Sequence, residues 1–254
     1  VSDTKFDELM RERIIFKNSD NKYVTLPEFF ESIPSEYSEK VGEKALYFEK
    51  DKADHAIINQ LKDAGICALE MDDHIDPHFM QHAEMHAIKD KKIQFASVDS
   101  QIADLLGTEN TTDEDMKVQD LFKRVLIGEK KEGEGEETPD SMDIEIQKIK
   151  GATTPAYYKV DEQMKRFQKM AESMGQGAAN FPLKRTLVIN PSNPLIQNAL
   201  KLHEKGSQEK LVERIVHYVG DLASISSEGL KNEDKEQFVK RSQDLIQDLT
   251  SQLQ

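Results

Sequence analysis

The spacing of apolar positions in residues 1–106 predicts a small α/β domain. Apolar segments rich in β-forming side chains predict strands at residues 44–51, 66–72 and 93–99. Between them, apolar residues at helical spacing predict a helix at residues 53–64, and Asp76 followed by Pro77 marks the start of a second helix at residues 76–87. Strands that alternate with helices are typical of a parallel sheet covered by helices. We therefore expect an α/β domain that ends near Leu106.

The segment before the first of these strands has a different pattern. Its polar stretch "KNSDNK" predicts a turn, which we expect to follow the end of one helix and to precede a second, short helix. In that second helix, Leu26, Phe29 and Phe30 fall at helical spacing, and Pro27 suits the first helical turn.

Residues 107–254 predict an α+β domain that ends in a pair of helices. Its acidic, glycine-rich stretch at about 128–141 has little to bury, which predicts a flexible loop. Alternating apolar and polar positions predict a strand at 142–150, with residues 156–160 as its hairpin partner. A further strand is expected at 184–190. Helices are expected at about 113–127, 161–175, 194–206, 207–225 and 233–253.

Both closing helices carry an apolar stripe. In the first helix the stripe consists of Leu211, Val212, Ile215, Val219 and Leu222. In the second it consists of Phe238, Leu245, Ile246, Leu249 and Leu253. Two antiparallel helices cannot bury both stripes by themselves, so either the body of the domain or a second copy must cover them. Two such hairpins paired symmetrically would form a four-helix bundle. The pattern alone leaves core and dimer interface equally open.

The predicted helix at 161–175 has an apolar face made mainly of methionine. The face consists of Met164, Phe167, Met170, Ala171 and Met174. Because it contains no β-branched residue, this face is soft and adaptable. Such stripes more often belong to a core, but methionine-rich faces also suit the binding of varied protein partners. Both interpretations stay open.

Histidines recur at every fourth position in the stretch "HIDPHFMQHAEMH", at residues 74, 78, 82 and 86. His78, His82 and His86 share one face of the predicted helix, and histidines spaced by four can bind zinc. No distant cluster of cysteine or histidine completes a closed site, however. The favoured interpretation is a solvated face with some sensitivity to pH, and we expect no metal ion.

Charge and composition exclude several classes of function. The 254-residue chain has a formal net charge of -14, which opposes binding to nucleic acid and to anionic membranes. No apolar run approaches the length of a membrane span, and no signal or transit peptide is recognised. The single cysteine, Cys67, allows no internal disulfide, so we expect an intracellular, cytoplasmic protein.

The sequence contains no recognisable catalytic motif. Its "GEGE" stretch lacks the lysine and the strand-to-helix context of a phosphate loop, and no nucleophile elbow occurs. Cys67 lies within an apolar segment, which is typical of an inert thiol. These observations favour an interaction protein over an enzyme.

Longer stretches of the sequence resemble the ninety-kilodalton heat-shock chaperone family, and its bacterial branch (high-temperature protein G) in particular. "IIFKNSDNKYVTLPEFFE", "EKALYFEKD" and "LKDAGICALEMDDHIDPHFMQHAE" resemble the later half of that family's middle domain. "VDEQMKRFQKMAESMGQ" and "KRTLVINPSNPLIQNALKLHE" resemble its C-terminal dimerisation domain. The resemblance covers nearly the whole chain in the same order, and the stretch at 128–141 matches least.

The resemblance implies a C-terminal fragment of a homodimeric, ATP-dependent chaperone that remodels non-native proteins. Residues 1–106 would be the late middle domain and residues 107–254 the dimerisation domain. ATP and magnesium bind in the family's N-terminal domain, so we expect no cofactor and no ATPase activity in this chain. The end "LTSQLQ" lacks the acidic tail that tetratricopeptide-repeat co-chaperones recognise, so such partners are not expected.

The resemblance also assigns residues to two surfaces. Contact with client proteins is expected at Met164, Phe167, Met170, Met174, His78 and Phe79. The dimer interface is expected at Leu211, Ile215, Val219, Leu222, Phe238, Leu245 and Leu249. A histidine-rich metal-binding protein and a purely structural dimerisation module are the alternatives.

Overall fold

A computed structural model describes most of the chain. It covers residues 7, 10–50, 54–72, 76–88, 91–108, 111–128, 142–149, 154–161, 164, 166, 185–206, 208–227 and 232–251. The structure divides into two compact units, Val1–Leu106 and Gly107–Gln254. The predicted acidic loop lies outside the described residues from position 129 to position 141.

A three-stranded parallel sheet forms the centre of the first unit. Its strands are β3 (Lys44–Glu49), β4 (Leu69–Met71) and β5 (Gln94–Ser97), in the spatial order β4-β3-β5. The middle strand β3 is buried over residues 45–49, as expected for a parallel strand covered on both faces. Helix α3 (His55–Asp63) connects β3 to β4, and helix α4 (Asp76–Met85) connects β4 to β5. The predicted alternation of strands and helices is confirmed.

The described part of the first unit also contains the helices α1 (Leu26–Ser32), α2 (Ser35–Val41) and α5 (Val98–Leu106). Helix α1 begins at a capping box, in which the backbone N–H of Thr25 donates to Glu28 at 2.7 Å and the Thr25 hydroxyl oxygen accepts from the Glu28 N–H. The core of the unit is aliphatic and aromatic, and its fully buried large side chains are Leu26, Phe29, Leu46, Leu61, Ile66, Leu69, Ile102 and Leu105.

The segment before α1 corrects the sequence prediction. A helix end precedes the turn as predicted, since Asp7 and Met10 are helical, but the polar turn itself joins two antiparallel strands that were not predicted, β1 (Ile15–Lys17) and β2 (Tyr23–Thr25). The buried side chain of Asn18 accepts hydrogen bonds from the backbone N–H groups of Asp20 and Lys22 at 3.0 and 2.9 Å. This local bonding favours a turn over a continuing helix.

A mixed three-stranded sheet forms part of the second unit. Strand β10 (Arg185–Ile189) is central, pairs in parallel with β7 (Asp143–Ile146) and pairs antiparallel with β9 (Ala156–Val160). The prediction that residues 142–150 and 156–160 form a hairpin was therefore wrong. The apolar strand β10 lies between them. Its residues 187–189 are buried, and the backbone N–H and C=O groups of a buried strand need hydrogen-bonding neighbours on both edges. Residues 148–149 form a separate strand, β8 (Lys148–Ile149), which pairs with β6 (Gly107–Thr108).

Four long helices pack in the second unit. They are α6 (Asp113–Leu126), α7 (Pro194–Glu204), α8 (Glu209–Ser227) and α9 (Asn232–Ser251). Their shared core includes Phe122, Ile144, Leu187, Ile189, Ile196, Leu200, Val212, Val216 and Val219. The chain thus has an α/β unit followed by an α+β unit that ends in a helix pair, as the sequence predicted.

Candidate interaction surfaces

Helix α4 exposes some of its predicted contact residues and buries others. Met80 and Ala83 hold the helix against the first unit. His78 is exposed, whereas Phe79 is half-buried. The Phe79 ring lies between two other rings, with its centroid 5.4 Å from that of Phe16 and 6.3 Å from that of Phe95. Of this predicted pair, His78 therefore offers the more accessible side chain.

The other histidines of α4 bind neighbouring protein groups. The rings of His82 and His86 lie 4.3 Å apart between centroids, and His86 Nδ1 lies 2.8 Å from the carbonyl oxygen of His82. His82 Nε2 lies 2.8 Å from Asp7 Oδ1, and Arg11 also donates to Asp7. The hydrogen bond from Arg11, supported by His82, lowers the pKa of the Asp7 carboxyl group. These contacts tie the start of the described chain to α4.

No metal centre is visible in the described part of the chain. Within it, no group of three or more histidine, cysteine, aspartate or glutamate side chains could hold an ion. His74 lies outside the described residues.

The predicted methionine helix can be followed only at its start. Met164 and Arg166 are helical, and the backbone N–H of Met164 donates to Asp161 Oδ1 at 2.9 Å, as at a helix N-terminus. Met164 is 41% exposed. Phe167, Met170 and Met174 lie outside the described residues.

The apolar stripe of α8 packs inside the second unit. Leu211, Ile215 and Val219, three of the predicted dimer contacts, are at most 6% exposed in the single chain. They belong to the same core as Phe122 and Leu187. Burial within one chain leaves these side chains no surface for a partner, which agrees with the alternative that the stripe is core.

Helix α9 divides its apolar residues between two faces. Leu245 is buried against the core, and the ring of Phe238 stacks on Tyr218 with centroids 6.0 Å apart. Val239 and Ile246, which point about 100° away from Phe238 and Leu245, are 52% and 61% exposed, and Leu249, which lies between these two faces, is 46% exposed. Their spacings of seven and three place them on one side of the helix. We call Val239, Ile246 and Leu249 the outer stripe of α9.

Sequence reasoning named only part of the exposed surface. It included Leu249 among the dimer contacts, but it did not name Val239, or Ile225 near the end of α8, which is 40% exposed. It also did not name Met85, which is 74% exposed on α4. A helical projection of α9 separates positions 239 and 246 from positions 238 and 245, so the signal for the outer stripe was present in the sequence. Leu222 is half-buried.

Comparison with known proteins identifies the family. The model of the Hsp90 protein family matches residues 3–253. The chain therefore belongs to the Hsp90 family, which makes it a chaperone of the Hsp90 type. No match to the chain was found among curated proteins. Among the described residues, no helix combines the length and hydrophobicity needed to cross a bilayer.

Proposed function

We propose that the second unit forms a homodimer through the outer stripe of α9. The observation that carries this proposal is the exposure of Val239, Ile246 and Leu249 on a helix whose remaining exposed positions are mostly polar. Aliphatic side chains aligned on one exposed face gain free energy when a partner removes them from water. Membership of the Hsp90 family favours a second copy of the chain as that partner.

A symmetric pairing fits the position of this stripe. In a twofold dimer the same patch serves both subunits, so the outer stripe of one subunit would pack against the outer stripe of the other. The half-buried Leu222 and Phe238 would then stabilise the helix pair from within, while Leu249 contacts the partner. The buried residues Leu211, Ile215, Val219 and Leu245 would support the interface without touching the second chain.

We further propose that the protein binds non-native client proteins. Met164 and His78 are exposed and are the described residues that we assign to client contact, together with the partly buried Phe79. Phe167, Met170 and Met174 belong to the same proposal through their spacing with Met164. Flexible methionine side chains adapt to partners of different shape, which suits a surface that meets many unfolded sequences.

The remaining expectations from the sequence belong to the same proposal. We assign residues 1–106 to a late middle domain and residues 107–254 to a dimerisation domain, as in the bacterial branch of the family. We propose that neither unit binds or hydrolyses ATP and that the protein is cytoplasmic.

Client contact can be tested by comparing the same substitution at two exposed methionines. Met164→Ser should weaken the suppression of aggregation of a heat-denatured reporter protein several-fold, because the side chain would contact the reporter. Met116→Ser is the matched control, since Met116 is 47% exposed on α6 and is assigned no contact. Equal suppression by both variants, with unchanged thermal unfolding, would instead favour a purely structural dimerisation module.

A further inference from the structure

Two ion pairs join α8 and α9, and the arginine belongs to α8 in one pair and to α9 in the other. Arg214 of α8 pairs with Asp248 of α9, and it also donates to the backbone carbonyl of Asp244 at 3.0 Å. Seven residues further along α8, Asp221 accepts a hydrogen bond from Arg241 of α9 at 2.7 Å. Each helix therefore carries an arginine followed after seven residues by an aspartate. Because the helices run antiparallel, each arginine lies opposite the other helix's aspartate.

One of these pairs is poorly suited to a purely stabilising role. The Asp221 side chain is 13% exposed. Among the described residues, its Oδ2 atom and the Nε atom of Arg241 are buried without a hydrogen-bond partner. Burial raises the pKa of Asp221 even though Arg241 lies beside it. A buried ion pair with such desolvation often contributes little net stability, and its best-attested use is to select one packing arrangement.

The apolar contacts between the helices leave the register weakly determined. Phe238 and Leu245 both point toward α8, and they are seven residues apart, which is two helical turns. If α9 slipped by seven residues along α8, the helix would keep the same face inward. Leu245 would then take the place of Phe238, or Phe238 that of Leu245. One of the two inward apolar side chains therefore stays packed on α8 after such a slip, and the slip loses only part of the buried apolar surface.

The charges penalise the same slips strongly. A slip of seven residues in one direction brings Asp221 opposite Asp248. A slip in the other direction brings Arg214 opposite Arg241. In either case a pair of like charges replaces two attractive pairs at a partly desolvated contact. We propose that Arg214, Asp221, Arg241 and Asp248 fix the register in which α9 packs on α8.

The register has a consequence for the surface of the second unit. It determines the position of the outer stripe of α9 along the axis of α8, and therefore the position of the stripe relative to Ile225. The proposal concerns packing within one chain, so it holds or fails independently of dimer formation.

Reversing the charges of these ion pairs distinguishes two effects: the attraction within the native register and the repulsion that excludes the slipped registers. The half-reversed variant D221R/R241D keeps two attractive pairs in the native register, but it makes α8 positive and α9 negative at all four positions. Both slips then become attractive as well. The fully reversed variant, which adds R214D/D248R, restores like-charge contacts in both slips and serves as the matched control.

The register can be measured as a distance between spin labels. Lys210 and Lys235 are exposed, and Cys67→Ser removes the native thiol, so K210C/K235C takes two labels. Because Asp221 lies opposite Arg241 in this antiparallel pair, Lys235 of α9 lies opposite Ser227 of α8. Lys210 and Lys235 are therefore ~25 Å apart along the helix axes. A slip of one heptad changes this separation by ~10 Å. Dilution with unlabelled protein suppresses distances between chains.

We expect one distance in the native and fully reversed proteins, and additional distances displaced by ~10 Å in the half-reversed protein. The neutral variant R214Q/D221N/R241Q/D248N removes both repulsions and both attractive pairs, and it tests the proposal even if a reversed variant does not fold. A single native distance in the half-reversed or neutral variant would overturn the proposal. So would additional distances that persist in the folded, fully reversed protein.

Discussion

Asp115 is a single carboxylate that joins three parts of the second unit. Its side chain is 4% exposed and lies 2.6 Å from Lys148 Nζ of β8. It also accepts hydrogen bonds from the backbone N–H and the hydroxyl of Thr112, at 2.6 and 2.7 Å, which caps α6. Burial acts to raise the pKa of Asp115, but Lys148 and Thr112 outweigh it, so the pKa is lowered. The charged form is therefore stabilised by folding.

We expect Asp115→Asn to lower the free energy of unfolding by about 2 kcal/mol at pH 7, because Lys148 loses its counter-charge and α6 loses part of its cap. A lowered pKa in the folded state contributes stability that is present above the unfolded pKa of about 4 and disappears as the pH falls through the folded pKa. The difference between native and variant should therefore shrink in acid.

Chemical denaturation at pH 7 and near pH 3 measures this difference. Glu204→Gln is the control, because Glu204 pairs with Lys117 at an exposed site and should leave stability nearly unchanged at both values. An equal loss for Asp115→Asn at both pH values would show that the charge of Asp115 is not what matters.

At the scale of elements, α8 and α9 illustrate how apolar stripes divide between core and surface. Val219 of α8 is fully buried, whereas Ile246 of α9 is 61% exposed, although both belong to stripes that look alike in sequence. The sheet, α6 and α7 cover α8, so its stripe is satisfied within one chain. The outer stripe of α9 has no such cover among the described residues.

The two side chains should respond to truncation in opposite ways. Val219→Ala should destabilise the protein by about 2 kcal/mol, since it removes buried methyl groups and leaves a cavity. Ile246→Ala should leave the stability of the isolated chain nearly unchanged and should weaken association instead. Denaturation at low protein concentration and solution mass at high concentration separate the two effects. A large loss of stability for Ile246→Ala in the monomer would place that side chain in the core.

The predictability of each element followed from its length and its local signals. Helices α6 to α9 were recognised because long stretches repeat apolar positions, and Asn193 and Thr112 cap two of them. Strands β1 and β2 were missed because three residues are too few to show a period. The pairing of β7 with β10 could not be predicted either, since it joins residues more than forty positions apart in the chain and depends on the packing of the whole sheet.

The candidate surfaces were harder to predict than the fold. Helical spacing places Phe79 on a face of α4, but only the structure shows that Phe16 and Phe95 partly bury it. Likewise, the pattern of α8 does not reveal whether its stripe faces its own sheet or a second chain. Both answers depend on contacts between distant parts of the sequence, which periodicity does not contain.

At the scale of the whole molecule, the net charge and the proposed dimer act together. A charge of -14 opposes nonspecific assembly, so a persistent association requires a specific apolar contact. A dimer would also join, in one particle, two sets of the residues that we propose contact client proteins. Two weak sites linked in this way bind an extended chain more tightly than either site alone. The proposed function therefore depends on dimer formation.

The solution mass of the native chain, measured by light scattering across a concentration series, tests dimer formation most directly. We expect a particle of twice 29.0 kDa at high concentration that dissociates on dilution. We also expect that Ile246→Ser shifts dissociation to higher concentration while far-ultraviolet circular dichroism stays unchanged. A mass of 29.0 kDa at every concentration would contradict the proposed dimer, and the outer stripe of α9 would then be an ordinary exposed surface of a monomer.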